Sequence, residues 1–181
     1  MRFDVTTWYL EMLAPEQLRA AFSDNPQLSV IRSEIPSPEF SRFLYTSMGG
    51  NWYWIDRLKY TYKDWLDYLN RKEVQTWVAY ISGTPAGYIE LELQLDASVL
   101  IVYFGVMPQF IGQRIGGHLL SVGVQQAWLM GAQRVFVHTC SLDGQYAKAN
   151  YQARGFQIYR EETHTIDLPE QAPGPWLGAY P

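Results

Sequence analysis

Between positions 86 and 95 apolar and polar residues alternate, Ile89, Leu91, Leu93 and Leu95 against Tyr88, Glu90, Glu92 and Gln94. A period of two puts each set on its own face, so Ala86–Leu95 is expected to be a half-exposed antiparallel strand. Gln75–Ile81 is its hairpin partner across the turn Ser82-Gly83-Thr84-Pro85. After Asp96-Ala97, Val99–Val106 is apolar at nearly every position, which suits a central strand covered on both faces. The period then changes. From about Gly112 to Met130 a stripe of Gly116, Leu120, Gly123, Ala127 and Met130 runs beside Ile115, Leu119, Val122 and Leu129. That is a broad helical face, and its small residues let the helix lie close to a sheet. Gly131 stops it and Arg134–Thr139 is the next strand, so two buried strands are joined by a helix as a parallel crossover. Gln145–Arg154 is expected to be a helix closed by Gly155, and Phe156–Ile166 a last strand.

The N-terminal half is less regular. Val5–Leu13 reads as a strand, Ala14–Asn25 has weak helical spacing through Leu18, Ala21 and Phe22, and Leu28–Ile35 is extended up to Pro36. Ser37 stands ahead of Pro38 and Glu39 as a helix cap, Phe40, Phe43 and Leu44 recur at helical spacing, and Gly49-Gly50 ends the run. Trp52, Tyr53, Trp54, Tyr60 and Tyr62 then crowd one short segment before a helix with Trp65, Leu66 and Leu69 on its apolar face. No internal repeat or domain boundary interrupts residues 1–167, which are expected to form one domain. The tail Leu168–Pro181 holds four of the ten prolines and is expected to lack regular structure, with Trp176 available for packing.

Composition narrows the function classes. Of 181 residues 48% are hydrophobic and 18% charged, enough for a core, and the 15% aromatic content exceeds what a minimal core needs. A net charge of −4 argues against a nucleic-acid partner, which demands clustered Lys and Arg. Cys140 is the single cysteine, and the histidines His118, His138 and His164 lack metal-ligand spacing, so no disulfide or metal site is expected. The start has no basic region before an apolar run, and no stretch of about 18 apolar residues occurs. No membrane association is expected, a cytoplasmic location is, and the chain is expected to be a monomer or homodimer.

A strand, a glycine-bearing turn and a helix near Gly112 place free main-chain N–H groups at a helix start, where an anion such as a pyrophosphate binds. Gly112, Gly116 and Gly117 allow close approach of a ligand to the backbone. The turn is neither the dinucleotide fingerprint G-x-G-x-x-G nor a P-loop ending in Gly-Lys-Ser/Thr. Packing of the crossover accounts equally well for these glycines taken alone. His138 and Cys140 share a strand face, but a strand cysteine of this kind is normally a small apolar residue.

The run Tyr103-Phe104-Gly105-Val106-Met107-Pro108, followed by Gly112-Gln113-Arg114-Ile115-Gly116-Gly117-His118-Leu119-Leu120, resembles the cofactor-binding segment of GNAT acetyltransferases. Downstream, Ala147-Lys148-Ala149-Asn150-Tyr151-Gln152-Ala153-Arg154-Gly155-Phe156 resembles that family's Ala-x-x-x-Tyr-x-x-x-Gly-Phe. The likeness covers about Gln75–Phe156. Ile111 stands where the family prefers Arg or Gln, Arg114 where it prefers a glycine, and Gly144 where it often has asparagine.

The resemblance implies an α/β fold: a mostly antiparallel mixed sheet with one splayed parallel pair and helices on both faces. It implies an acetyl-CoA-dependent N-acetyltransferase acting directly on a primary amine of a small molecule or peptide; the departures at Ile111 and Arg114 keep open a catalytically weak or inactive GNAT-like acyl-CoA-binding sensor. The pantetheine arm is expected along Phe104, Gly105 (a bulge position) and Val106. The phosphates are expected at Gly112, Gln113, Arg114, Ile115, Gly116 and Gly117, with Asn150 as a further contact. Tyr151 is the expected acid for the leaving thiolate, Glu90 or Glu92 the expected base, and Trp52, Trp54 and Tyr60 the expected wall of the acceptor pocket.

Overall fold

The computed structural model of the chain describes residues 1–179. Seven strands, β1 (Arg2–Met12), β2 (Leu28–Ser33), β3 (Val74–Ile81), β4 (Thr84–Leu93), β5 (Ser98–Val106), β6 (Arg134–Cys140) and β7 (Gln157–Asp167), form one sheet. Their order is β2-β3-β4-β5-β6-β1-β7, and among the described residues only β5 and β6 run parallel. The helices are α1 (Pro38–Gly49), α2 (Tyr62–Leu69), α3 (Ile115–Leu129) and α4 (Ala147–Ala153).

Packing follows the two residue sets of β4. Ile89 and Leu91 join Val99, Ile101, Leu119, Leu120 and Val124 in a core beneath α3 and α4. Gly123 makes the contact close: a Cβ there would lie 2.4 Å from Ile89 Cδ1. The opposite set was expected to face solvent. Instead Tyr88 and Glu90 are each 2% exposed, because α1, α2 and the aromatic segment before α2 cover that face. A cation from that segment, Arg57, makes burial of the carboxylate tolerable by pairing with it.

Elsewhere the observed elements depart from the expected ones at their ends. Residues 14–25 hold only a 3₁₀ turn, Pro15–Gln17, rather than a longer helix. Side chains of α3 take up the backbone donors instead: Ala21 N–H bonds Ser121 Oγ at 2.9 Å and Ser23 N–H bonds His118 Nδ1 at 3.0 Å. α4 begins at Ala147 rather than Gln145. The first strand pairs with β6 and β7, so the N-terminal and C-terminal strands meet in the sheet. Residues 168–179 contain no helix or strand, while Tyr180 and Pro181 lie outside the described residues. The backbone tethers the tail, through Gly174 N–H to Gly50 C=O at 2.9 Å; Trp176 is 63% exposed.

Candidate active site

β5 and β6 pair at only three positions, Ser98 with Arg134, Val99 with Val135 and Leu100 with Phe136. Beyond these the strands continue to Val106 and Cys140 without pairing to each other. A bulge accounts for the divergence. On β4, Leu91 faces Ile101 but Glu90 faces Tyr103, so Val102 is an extra residue that bends β5. The bulge was expected at Gly105, which lies in register with Tyr88. Gly105 serves close packing, since a Cβ there would lie 2.8 Å from Met48 Cβ on α1.

At the mouth of this gap α3 begins, three residues later than expected. Gly112 has φ 87° and Arg114, the N-cap, has φ 63°, so two left-handed residues carry the chain into Ile115. The first helical bond of the turn runs from His118 N–H to Arg114 C=O at 3.3 Å, and no side chain among the described residues caps the start. The N–H groups of Ile115, Gly116 and Gly117 therefore point outward from the helix. The space over Gly112 is open, with nothing within 4 Å of a Cβ placed there. The position of a Gly116 Cβ lies 3.5 Å from Asn150 Nδ2, 3.7 Å from Val106 Cγ2 and 3.9 Å from Phe104 Cζ. Phe104, Val106, Gly116 and Asn150 thus converge, while Gly112, Gln113 and Arg114 are exposed around them. Sequence reasoning overlooked Arg154. Its Nη1 lies 2.7 Å from the place of a Gly117 Cβ, adding positive charge beside the free N–H groups, and its Nε is buried without a partner among the described residues. Its place one residue before Gly155, one turn on from Asn150, was the available signal.

Tyr151 is 4% exposed and packs edge-on between Phe104 at 5.8 Å and Phe156 at 5.9 Å. Burial, with Asp143 nearby, pushes its pKa well up, so the phenol keeps its proton. Its hydroxyl has no hydrogen-bond partner among the described residues. Asp143 is held by Thr139 Oγ1 at 2.6 Å and the Cys140 N–H at 2.9 Å. Burial and Asp143 also raise the Cys140 thiol, the opposite of what an activated nucleophile requires.

On the other face the expected bases are already engaged. Glu90 forms a bidentate pair with Arg57 (2.8 and 3.1 Å) and accepts the Tyr68 hydroxyl at 2.7 Å. Glu92 pairs with Arg71 at 2.7 Å. The expected acceptor wall is divided. Trp52 stands against the β6–α4 loop, its ring 3.5 Å from the place of a Gly144 Cβ. Trp54 packs on Tyr103 at 4.8 Å and Tyr45 at 5.7 Å. Tyr60 joins Trp65, Tyr68 and Tyr103 around Arg57, whose guanidinium carbon lies 4.1 Å from the Tyr68 ring centre. The box of rings is therefore filled by the protein's own cation. Arg57 was missed in the sequence, although a lone Arg within an aromatic run and a Glu on a covered strand are each incomplete without a partner.

A sequence model of the acetyltransferase (GNAT) family matches residues 36–156. The chain belongs to the GNAT acetyltransferase family. Solved structures agree with that fold. A GCN5-related N-acetyltransferase from Sphaerobacter thermophilus superposes with TM-score 0.68 at 14% identity, over 91% of this chain and 54% of its own. One from Kribbella flavida gives TM-score 0.66 at 14% identity, over 91% and 59%. An aminoglycoside acetyltransferase from an uncultured soil metagenomic sample, in complex with trehalose, gives 0.59 at 19% identity, over 73% and 90%. The first four structures matched are longer than this chain, which spans 62%, 59%, 50% and 64% of them. No curated protein matches the sequence. Among the described residues no helix is long and apolar enough to cross a membrane.

Proposed function

We propose that this GNAT protein transfers an acetyl group from acetyl-CoA directly to a primary amine of a small molecule or peptide. The observation that carries the reading is the parting of β5 and β6 after Leu100 and Phe136, beside a helix start with free N–H groups. An open strand edge suits an extended chain bearing amides, and a helix start suits a diphosphate. The residues present fit such a ligand: the space at Gly112 is open, and Arg154 adds charge where phosphates would lie.

Bound acetyl-CoA supplies an activated acyl thioester. Main-chain groups of Phe104, Gly105 and Val106 hold the pantetheine arm. The N–H groups of Ile115, Gly116 and Gly117, with Gly112, Gln113, Arg114 and Arg154 around them, hold the diphosphate, and Asn150 adds a side-chain contact. Tyr151, protonated and facing Phe104, donates its proton to the departing sulfur. A backbone N–H of Phe104 or Val106 polarises the carbonyl. Neither Glu90 nor Glu92 serves as the base in this reading, because both carboxylates are occupied by arginines. That occupation is also the observation favouring the second reading, an acyl-CoA-holding sensor without turnover.

Thiol release measured across a panel of spermidine, tyramine, kanamycin and a lysine peptide separates the two. Calorimetry with acetyl-CoA and with adenosine tests the helix-start site. Turnover on an amine together with binding that requires the phosphates is the expected result. Tight acetyl-CoA binding without turnover on any amine identifies the sensor, and equal binding of adenosine removes the phosphate site.

A further inference from the structure

With Glu90 paired to Arg57 and Glu92 to Arg71, the acetyltransferase reading leaves its proton acceptor unassigned. His138 stands two residues beyond Phe136, the last β6 residue paired with β5, and so lies on the unpaired stretch of β6 that borders the gap. Side chains alternate along β6. Val135 and Val137 enter the core beneath α3 and α4, so Phe136, His138 and Cys140 project from the other face. Tyr151 belongs to the α4 side. A thioester held in the gap would therefore have the Tyr151 hydroxyl on one side of the sheet and the His138 imidazole on the other, so that two different groups could serve the sulfur and the amine.

We infer that His138 is the general base that deprotonates the acceptor amine, an inference resting on the acetyltransferase reading above. The ring is exposed and forms no hydrogen bond or ion pair among the described residues. Its neighbours on this face are otherwise committed. Tyr9, opposite it on β1 with ring centres 6.1 Å apart, bonds Glu162 on β7 and lies under Arg160. Glu11 holds Arg134 at 2.6 Å, and Arg134 lies over Phe136. Cys140 is a half-buried thiol, and Tyr103 across the gap packs in the aromatic cluster beneath α1. His138 takes one proton from the ammonium and passes it to solvent. The neutral nitrogen forms the C–N bond as C–S breaks. The second ammonium proton replaces the one Tyr151 gives to sulfur, leaving amide, free thiol and one released proton.

The test uses whichever panel amine the unaltered protein turns over fastest. His138→Gln is expected to lower kcat about 100-fold, to leave KM for acetyl-CoA unchanged and to abolish the rise of kcat with pH. Added imidazole is expected to restore part of the rate of His138→Ala. A readout independent of turnover is the His138 ring resonance, which is expected to move when the amine is added to the protein with non-acetylated CoA. Full kcat with an unchanged pH profile in His138→Gln, while Tyr151→Phe remains impaired, overturns the base assignment and leaves the acetyltransferase reading standing. An unmoved ring resonance on amine addition also overturns it. Absence of turnover on every amine by the unaltered protein overturns both.

Discussion

Arg57 meets Glu90 through both of its terminal nitrogens, Nη2 to Oε1 at 2.8 Å and Nη1 to Oε2 at 3.1 Å, with the two residues 5% and 2% exposed. Burial works against the Arg57 charge, yet Glu90 beside it outweighs that and holds the guanidinium's pKa above its ordinary value. Glu90 is also the residue of β4 opposite Tyr103, next to the bulge at Val102. The pair therefore ties the aromatic segment before α2 to the point where β5 bends away from β6.

Removing one partner leaves the other charge buried and alone. Arg57→Ala or Glu90→Ala is expected to cost about 3–5 kcal/mol and to lower the melting temperature by roughly 6–20 °C. Replacing both with apolar residues of similar size should cost less than either single change. Urea titration of the three variants checks the ordering.

Tyr151→Phe removes a hydroxyl that holds no partner among the described residues. Removing a buried unpartnered hydroxyl relieves a desolvation cost of about 1–3 kcal/mol, so stability should not fall, whereas kcat should fall by roughly 10²-fold with KM for acetyl-CoA unchanged. Steady-state kinetics beside a thermal melt separates the two effects.

Gly105→Ala places a Cβ 2.8 Å from Met48 Cβ and 3.3 Å from the Trp54 ring, where neither backbone has room to yield without moving α1. A loss of about 1–3 kcal/mol is expected. Gly112→Ala meets no atoms but keeps a left-handed φ of 87°, so its cost should be near 1–2 kcal/mol, together with weaker acetyl-CoA binding measurable by calorimetry.

Stability should decline at alkaline pH. Burial raises the pKa of Tyr88 and Tyr151 above the reference of 10.0, with Glu90 adding to the first and Asp143 to the second. Above about pH 10 the unfolded chain releases these protons and the folded chain retains them. The unfolded state then binds fewer protons, so unfolding free energy falls as pH rises, by about 1.4 kcal/mol per pH unit for each such tyrosine. Urea midpoints between pH 9 and 12 check the slope, and phenolate absorbance should rise together with unfolding.

The helix start at Gly112–Gly117 was visible in the sequence because glycine spacing and the change from period two to period 3.6 are local properties. The motif around Tyr151 was visible for the same reason. The boundary errors are local as well. The expected start of α3 at Gly112 missed that Arg114 itself adopts φ 63°, which no residue preference for arginine signals. The face of β4 was misjudged because alternation tells which residues share a side, not what covers that side. Tyr88, Glu90 and Glu92 looked solvated until α1 and α2 were placed over them.

By itself the sequence determined the type of the regular elements in residues 75–166, the crossover of two strands through a long helix, and the open turn before it. These depend on residues within a few positions of one another. Tertiary structure alone decided that Glu90 belongs to Arg57, 33 residues away, and that β1 closes the sheet against β6 and β7. It also decided that the strands part at Val102, since a bulge is a mismatch between two segments and has no existence in either one.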